Sequence, residues 1–151
     1  MSNPARRTVI ARDTLIALLG FSAVSAVGGS VAMLATDGMG MPRAMLRGSP
    51  FDSFVGPAVI LFIVVGGTQL AAVIHLVARR RSALLWSAVA GFGLTIWIIV
   101  ETVMIGGFSV LQAIYVAAGL LEIALVLALL GIVHRIPRLN DDGPAEAGPS
   151  R

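Results

Sequence analysis

Cysteine is absent from this chain, and so is lysine: all eleven basic residues are arginine. The first absence rules out a disulfide, a CxxC redox pair and a thiolate metal site. A quinone-linked disulfide-forming enzyme goes with them. The second rules out a lysine Schiff base to a retinal-like cofactor. No P-loop, HExxH, GxSxG or EF-hand pattern occurs, which argues against the standard enzyme classes. Charge of either sign is scarce as well. Only 13% of the residues are charged, against about 25% in an ordinary soluble domain.

What fills the chain instead is apolar. Of its 151 residues 57% are hydrophobic, and the mean hydropathy is +0.92. Four apolar runs stand out: Thr14–Ala35, Pro57–Ala78, Ala83–Ile105 and Val110–Val133. Each exceeds the roughly 18 residues that mark a membrane span and, at about 1.5 Å per residue, crosses a hydrocarbon core of about 30 Å. Backbone polar groups in lipid must be satisfied internally, so the runs are expected to be helices. The expectation is an all-α, four-transmembrane-helix bundle with up-down-up-down topology, because the connections are short. Residues 1–13 would form a cytoplasmic segment, 14–135 the membrane domain and 136–151 a cytoplasmic tail. No soluble part is large enough to bury a core of its own.

Charge placement predicts orientation. Arg6, Arg7 and Arg12 precede the first run, Arg79, Arg80 and Arg81 join the second and third, and Arg135, Arg138 and Arg151 follow the fourth. Only Arg43 and Arg47 fall on the other side. The positive-inside rule then puts both termini in the cytoplasm of a multi-pass cell (inner) membrane protein. The basic pI reflects topogenic arginines facing anionic lipid, and nucleic acid is not an expected partner. "RRTVI", residues 6–10, looks somewhat like a twin-arginine export signal. The run of 22 residues behind it is too long for a signal h-region of about 7–15, so a retained anchor is expected.

Punctuation predicts the helix ends. Asp13 would cap the first helix and Ser82 the third. Pro57 fits the first turn of the second. "SVLQ", residues 109–112, reads as a capping box from Ser109 to Gln112. In the external loop "TDGMGMPRAMLRGSPFDSF", Pro42 would open a short interfacial helix through Arg47, ended by Gly48, with Met41, Met45 and Leu46 available to touch the interface. "GSPF" then breaks the chain before the second run. The tail "RLNDDGPAEAGPSR", rich in Pro, Gly and Ala without apolar periodicity, is expected to be disordered.

Several of these segments together carry a resemblance. "GMP…L.GSPF…F..P", then "GG", an arginine turn, "WI" with a polar residue four after the Trp, "GFS.LQ..Y" and a later Gly resemble a family of small four-helix membrane proteins of high-GC bacteria, loosely similar to the DoxX-like group. The likeness covers about residues 13–133. It implies fold and location, and it transfers no catalytic residue and no cofactor.

Function must then lie between the helices or in contacts with a partner. Ser22, Ser25, Gly29 and Ala32 share one face of the first run, and Gly66, Gly67, Gly91, Gly93 and Gly119 mark close approaches in the others. Two acids interrupt the apolar runs. Glu101, in "LTIWIIVETVMIGG" (94–107), lies roughly 6–7 Å below the external end of its run by helix rise. Glu122 is near the middle of the fourth run, where an acid costs at least about 2.5–3.5 kcal/mol unless it faces the bundle. Gln112, Tyr115, Gly119 and Glu122 share a face. Thr95, Glu101 and Thr102 on the third run and Thr68 and Gln69 on the second complete the candidate polar site.

Two roles compete for that site. One is interhelical hydrogen bonding by a protonated Glu122 in a non-enzymatic structural or interaction component. The other is a proton- or cation-linked solute pathway through Glu122 and Glu101. The small multidrug-resistance exporters also have four helices, but their essential acid lies in the first span, where this chain has none. A third reading, a haem protein, would use His75 and His134 as axial ligands, although both positions suit a histidine at a helix carboxyl end. No metal site is expected. The expected partners are the lipid bilayer and, among proteins, a second copy or another membrane protein.

Overall fold

An apolar helix in lipid closes its own hydrogen bonds, and this chain consists of little else. The computed structural model describes residues 4–47 and 49–131. Among these residues every regular element is helical, and four helices are long and apolar enough to cross a membrane. The first is Pro4–Ala35, the second Val55–Val77, the third Ala83–Ile105 and the fourth Val110–Leu129. A single 3₁₀ turn, Arg43–Leu46, interrupts the loop between the first two.

The ends follow backbone chemistry, with corrections to the expected boundaries. The first helix starts at Pro4, a residue suited to a first turn. It runs unbroken through Asp13, which is an exposed interior residue and not a cap. Alanine and arginine are good helix formers, so the polar segment carries the helix past the point where apolarity begins. The third helix has the expected limits, but the Ser82 side chain makes no capping bond. Ser82 is close to helical in φ and ψ (−84°, 4°), so only its carbonyl takes part, accepting from Trp86 N–H at 3.0 Å. Ser109 and Gln112 do form the capping box, with bonds of 3.3 and 2.8 Å. The fourth helix stops at Leu129, short of the expected Val133, as Gly131 turns left-handed at φ 73°. Val133, the expected tail and His134 lie outside the described residues, as does Gly48.

The turn after the second helix is a Schellman motif. Arg80 N–H donates to His75 O at 2.9 Å and Arg79 N–H to Leu76 O at 3.2 Å. Arg79 occupies the left-handed position, φ 50°, where glycine is usual. Arg12 reaches across from the first helix and donates to Leu76 O at 3.1 Å, placing a cation at that carboxyl end.

The loop between the first two helices folds back over the bundle. Leu46 is buried, and Met41, Met45 and Leu46 line a small cavity of about 60 Å³ with Phe54, Pro57 and Glu101. Leu46 turns inward, while Met41 and Met45 stay partly exposed. The exposed Arg43–Asp37 ion pair closes the loop, and that hydrogen bond and charge raise the Arg43 pKa above its ordinary value.

Packing follows a 3–4 alternation on all four helices. Leu15, Leu19, Ser22, Ala26 and Ser30 are the buried seam of the first, and Val65, Gln69, Ala72 and Leu76 that of the second. Ala83, Ser87, Ala90, Leu94 and Ile98 continue it on the third, and Gly119, Glu122 and Val126 on the fourth. This is the spacing of knobs-into-holes bundles. The seam splits into two apolar clusters, one around Leu15, Leu19, Leu76 and Val126, the other around Val65, Leu94 and Ile98. Polar residues lie between them.

Outside the seam the bundle is apolar too. Val24, Ile63, Leu85 and Val103 are largely exposed, and only 28–33% of each apolar window is buried. An apolar coat of that extent is far larger than a soluble monomer tolerates, and it matches lipid.

Candidate functional site

Glu122 is the centre of the polar layer. It is 0% exposed and accepts one hydrogen bond on each carboxyl oxygen. Ser22 Oγ donates to Oε1 at 3.0 Å from the first helix, and Gln69 Nε2 donates to Oε2 at 3.0 Å from the second. The same Gln69 nitrogen leans toward Ala90 O of the third helix at 3.4 Å. Ser22 and Gln69 are themselves 1% and 0% exposed. The carboxyl group thus joins the first, second and fourth helices through neutral donors, and Gln69 extends the link to the third. Gln69 Oε1 is left as a buried acceptor without a protein partner.

The third and fourth helices come close enough to make this possible because two glycines face each other. A Cβ on Gly119 would sit 2.5 Å from Thr95 Oγ1 and 3.1 Å from Gly91 O. A Cβ on Gly91 would meet Ile123 Cγ1 at 3.0 Å and Glu122 Cβ at 3.2 Å. Neither site has room for a side chain, so the two backbones touch there.

The second helix meets the first at Gly66, where a Cβ would sit 3.2 Å from Val27 Cγ2. Its central stretch, Leu61–Gly66, is π-helical, with Gly67 N–H reaching back to Phe62 O. The Thr68 hydroxyl covers the widened turn, donating to Val64 O at 2.6 Å with Val65 O at 3.2 Å. Such π segments are rare and often lie beside functional sites. Here the segment contributes Leu61 and Val65 to a cavity.

That cavity, about 370 Å³, lies in the half of the bundle nearest the 36–54 loop and is walled by all four helices. Ser22 forms part of its lining, one hydrogen bond from Glu122. Glu101 lies on its wall, half-buried, one turn beyond Trp97. The Trp97 indole nitrogen is buried beside that carboxyl without closing a hydrogen bond of good geometry.

The candidate polar residues therefore separate. Glu122 and Gln69 are joined directly. Glu101, Gln112 and Tyr115 line the cavity and do not reach that pair. Tyr115 stacks on Phe21, ring centroids 6.2 Å apart. Thr68, Thr95 and Thr102 spend their hydroxyls on their own helices, Thr95 on Gly91 O at 2.9 Å and Thr102 on Ile98 O at 2.7 Å. Ser22, read from the sequence as a small packing residue, proves to be a ligand of Glu122. Its place in the 15–19–22–26 seam was the available signal. His75 gives its Nδ1 to Ala71 O at 2.8 Å and lies against Trp86 at 5.6 Å. Among the described residues no group of three His, Cys, Asp or Glu could hold a metal. No family model, curated protein or solved structure matches the chain.

Proposed function

We propose that this chain is a multi-pass protein of the bacterial inner membrane, with up-down-up-down spans, both termini cytoplasmic and a non-enzymatic structural or interaction role. Glu122 acts in it as a latch. The observation that carries the reading is the buried polar layer: both carboxyl oxygens of Glu122 are occupied, by Ser22 and Gln69, between two apolar clusters. A group so enclosed is suited to fixing helix register. The contact pairs favour alternating directions, since Arg12 meets Leu76 while Gly29 faces Leu61. The arginines of the first helix and of the 79–81 turn then share one side, which the positive-inside rule assigns to the cytoplasm.

The latch is tested by two substitutions. Glu122→Gln keeps size and hydrogen bonding, and its unfolding free energy in detergent should stay within about 1 kcal/mol of wild type. Glu122→Leu removes the acceptor of both Ser22 Oγ and Gln69 Nε2, leaving Gln69 only its long bond to Ala90 O, and should cost on the order of 1–3 kcal/mol. Equal stability of all three proteins would remove the latch.

A second reading, a proton- or cation-linked solute carrier using Glu122 and Glu101, draws on the cavity that begins next to the latch. It requires Glu122→Gln to fold normally and yet abolish proton-coupled uptake in reconstituted vesicles. Uptake unaffected by that substitution would refute it.

A further inference from the structure

The cavity has a composition that selects a ligand. Its volume of about 370 Å³ falls in the range of about 300–1,000 Å³ typical of small-molecule sites. The wall is mostly apolar, yet it holds one carboxyl group, that of Glu101, and no basic side chain among its lining residues. Trp97 and Tyr115 bring aromatic rings to the same space, and Met33, Met39 and Met41 bring polarizable thioethers. The chain fills this volume with no side chain of its own, although Gly29 on the cavity wall would accept one: a Cβ there finds only Leu61 Cδ2, at 3.8 Å.

Each candidate class meets these walls differently. An anion would face a carboxyl group and find no cation to pair with. A neutral apolar molecule would fill the space but cover Glu101 without giving it a partner, which is costly for a carboxyl group. A compact organic cation satisfies both demands. Its charge pairs with the carboxylate and lies against ring faces, while its hydrocarbon portion occupies the aliphatic wall.

We propose that the cavity is a binding site for one small lipophilic organic monocation, held by Glu101 and by the rings of Trp97 and Tyr115. This goes beyond the latch, since Glu122 takes no part in binding. Its failure would leave the Glu122 stability measurements unchanged.

The test is calorimetric titration of the purified full chain with three probes: benzyltrimethylammonium, its neutral isostere neopentylbenzene, and benzenesulfonate. Wild type should bind the cation saturably at one per chain, and the isostere and anion about tenfold more weakly or less. Glu101→Gln should lower cation affinity at least about tenfold and leave the isostere unaffected. Gly29→Leu, which adds a side chain to the cavity wall and takes up part of the space, should weaken binding of both. Should Glu101→Gln not fold, the wild-type comparison of cation with isostere and the Gly29→Leu protein decide the matter. Equal affinity for cation and isostere, unchanged binding in Gly29→Leu, unchanged cation affinity in folded Glu101→Gln, or no saturable binding of the cation would each overturn the proposal.

Discussion

At the scale of single residues, two positions show opposite relations between side chain and backbone. Gly119 is required: its missing Cβ is what lets the third and fourth helices touch. Gly119→Ala must push Thr95 and Gly91 away, and it should destabilise the protein by roughly 1–3 kcal/mol in a chemical unfolding titration. A neutral result would mean that the helices have slack the geometry does not display. Arg79 is the reverse case, a side chain at a left-handed position that favours glycine. Arg79→Gly should raise unfolding free energy by about 1 kcal/mol by removing that strain. Loss of stability there would indicate that the arginine's charge outweighs its backbone cost. Of the residues in the polar layer, Glu122 was legible from sequence because an acid within an apolar run must face inward. Ser22 was less legible, since a small residue serves packing and hydrogen bonding equally well.

At the scale of elements, the sequence announces a helix end where a specific side-chain hydrogen bond makes it, as at Ser109, but the end set by Gly131 was missed because the apolar run continues to Val133. The capping box at Ser109 and the left-handed Gly106 delimit the turn between the last two helices as their residue types predict. Ser109→Ala removes one of the two reciprocal bonds and should cost about 1 kcal/mol; thermal unfolding in detergent measures it, and an unchanged midpoint would mean that packing alone sets that end. The start of the first helix was not legible. Hydropathy reports where the hydrocarbon begins, whereas helix formation continues through Asp13 and the arginines because nothing there breaks it. The π-helical stretch Leu61–Gly66 is likewise silent in composition, because a shift in hydrogen-bond register changes no side chain.

At the scale of the whole molecule, four apolar helices were readable from length and hydropathy, whereas the buried seam was read only in part: of the face Ser22, Ser25, Gly29 and Ala32 expected on the first helix, only Ser22 lies in it. The cavity was not, because a void is defined by side chains from different helices failing to meet. The central claim joins these scales: a bundle with an apolar exterior is held in register by one carboxyl group bonded across its interior. The most direct measurement is a double-mutant cycle between Gln69→Leu and Glu122→Leu, read as unfolding free energy in detergent. The account predicts that the two substitutions are non-additive, with a coupling of about 0.5–1.7 kcal/mol, the range found for hydrogen bonds between membrane helices. Strict additivity, with each change costing the same whether or not the other is present, would contradict it.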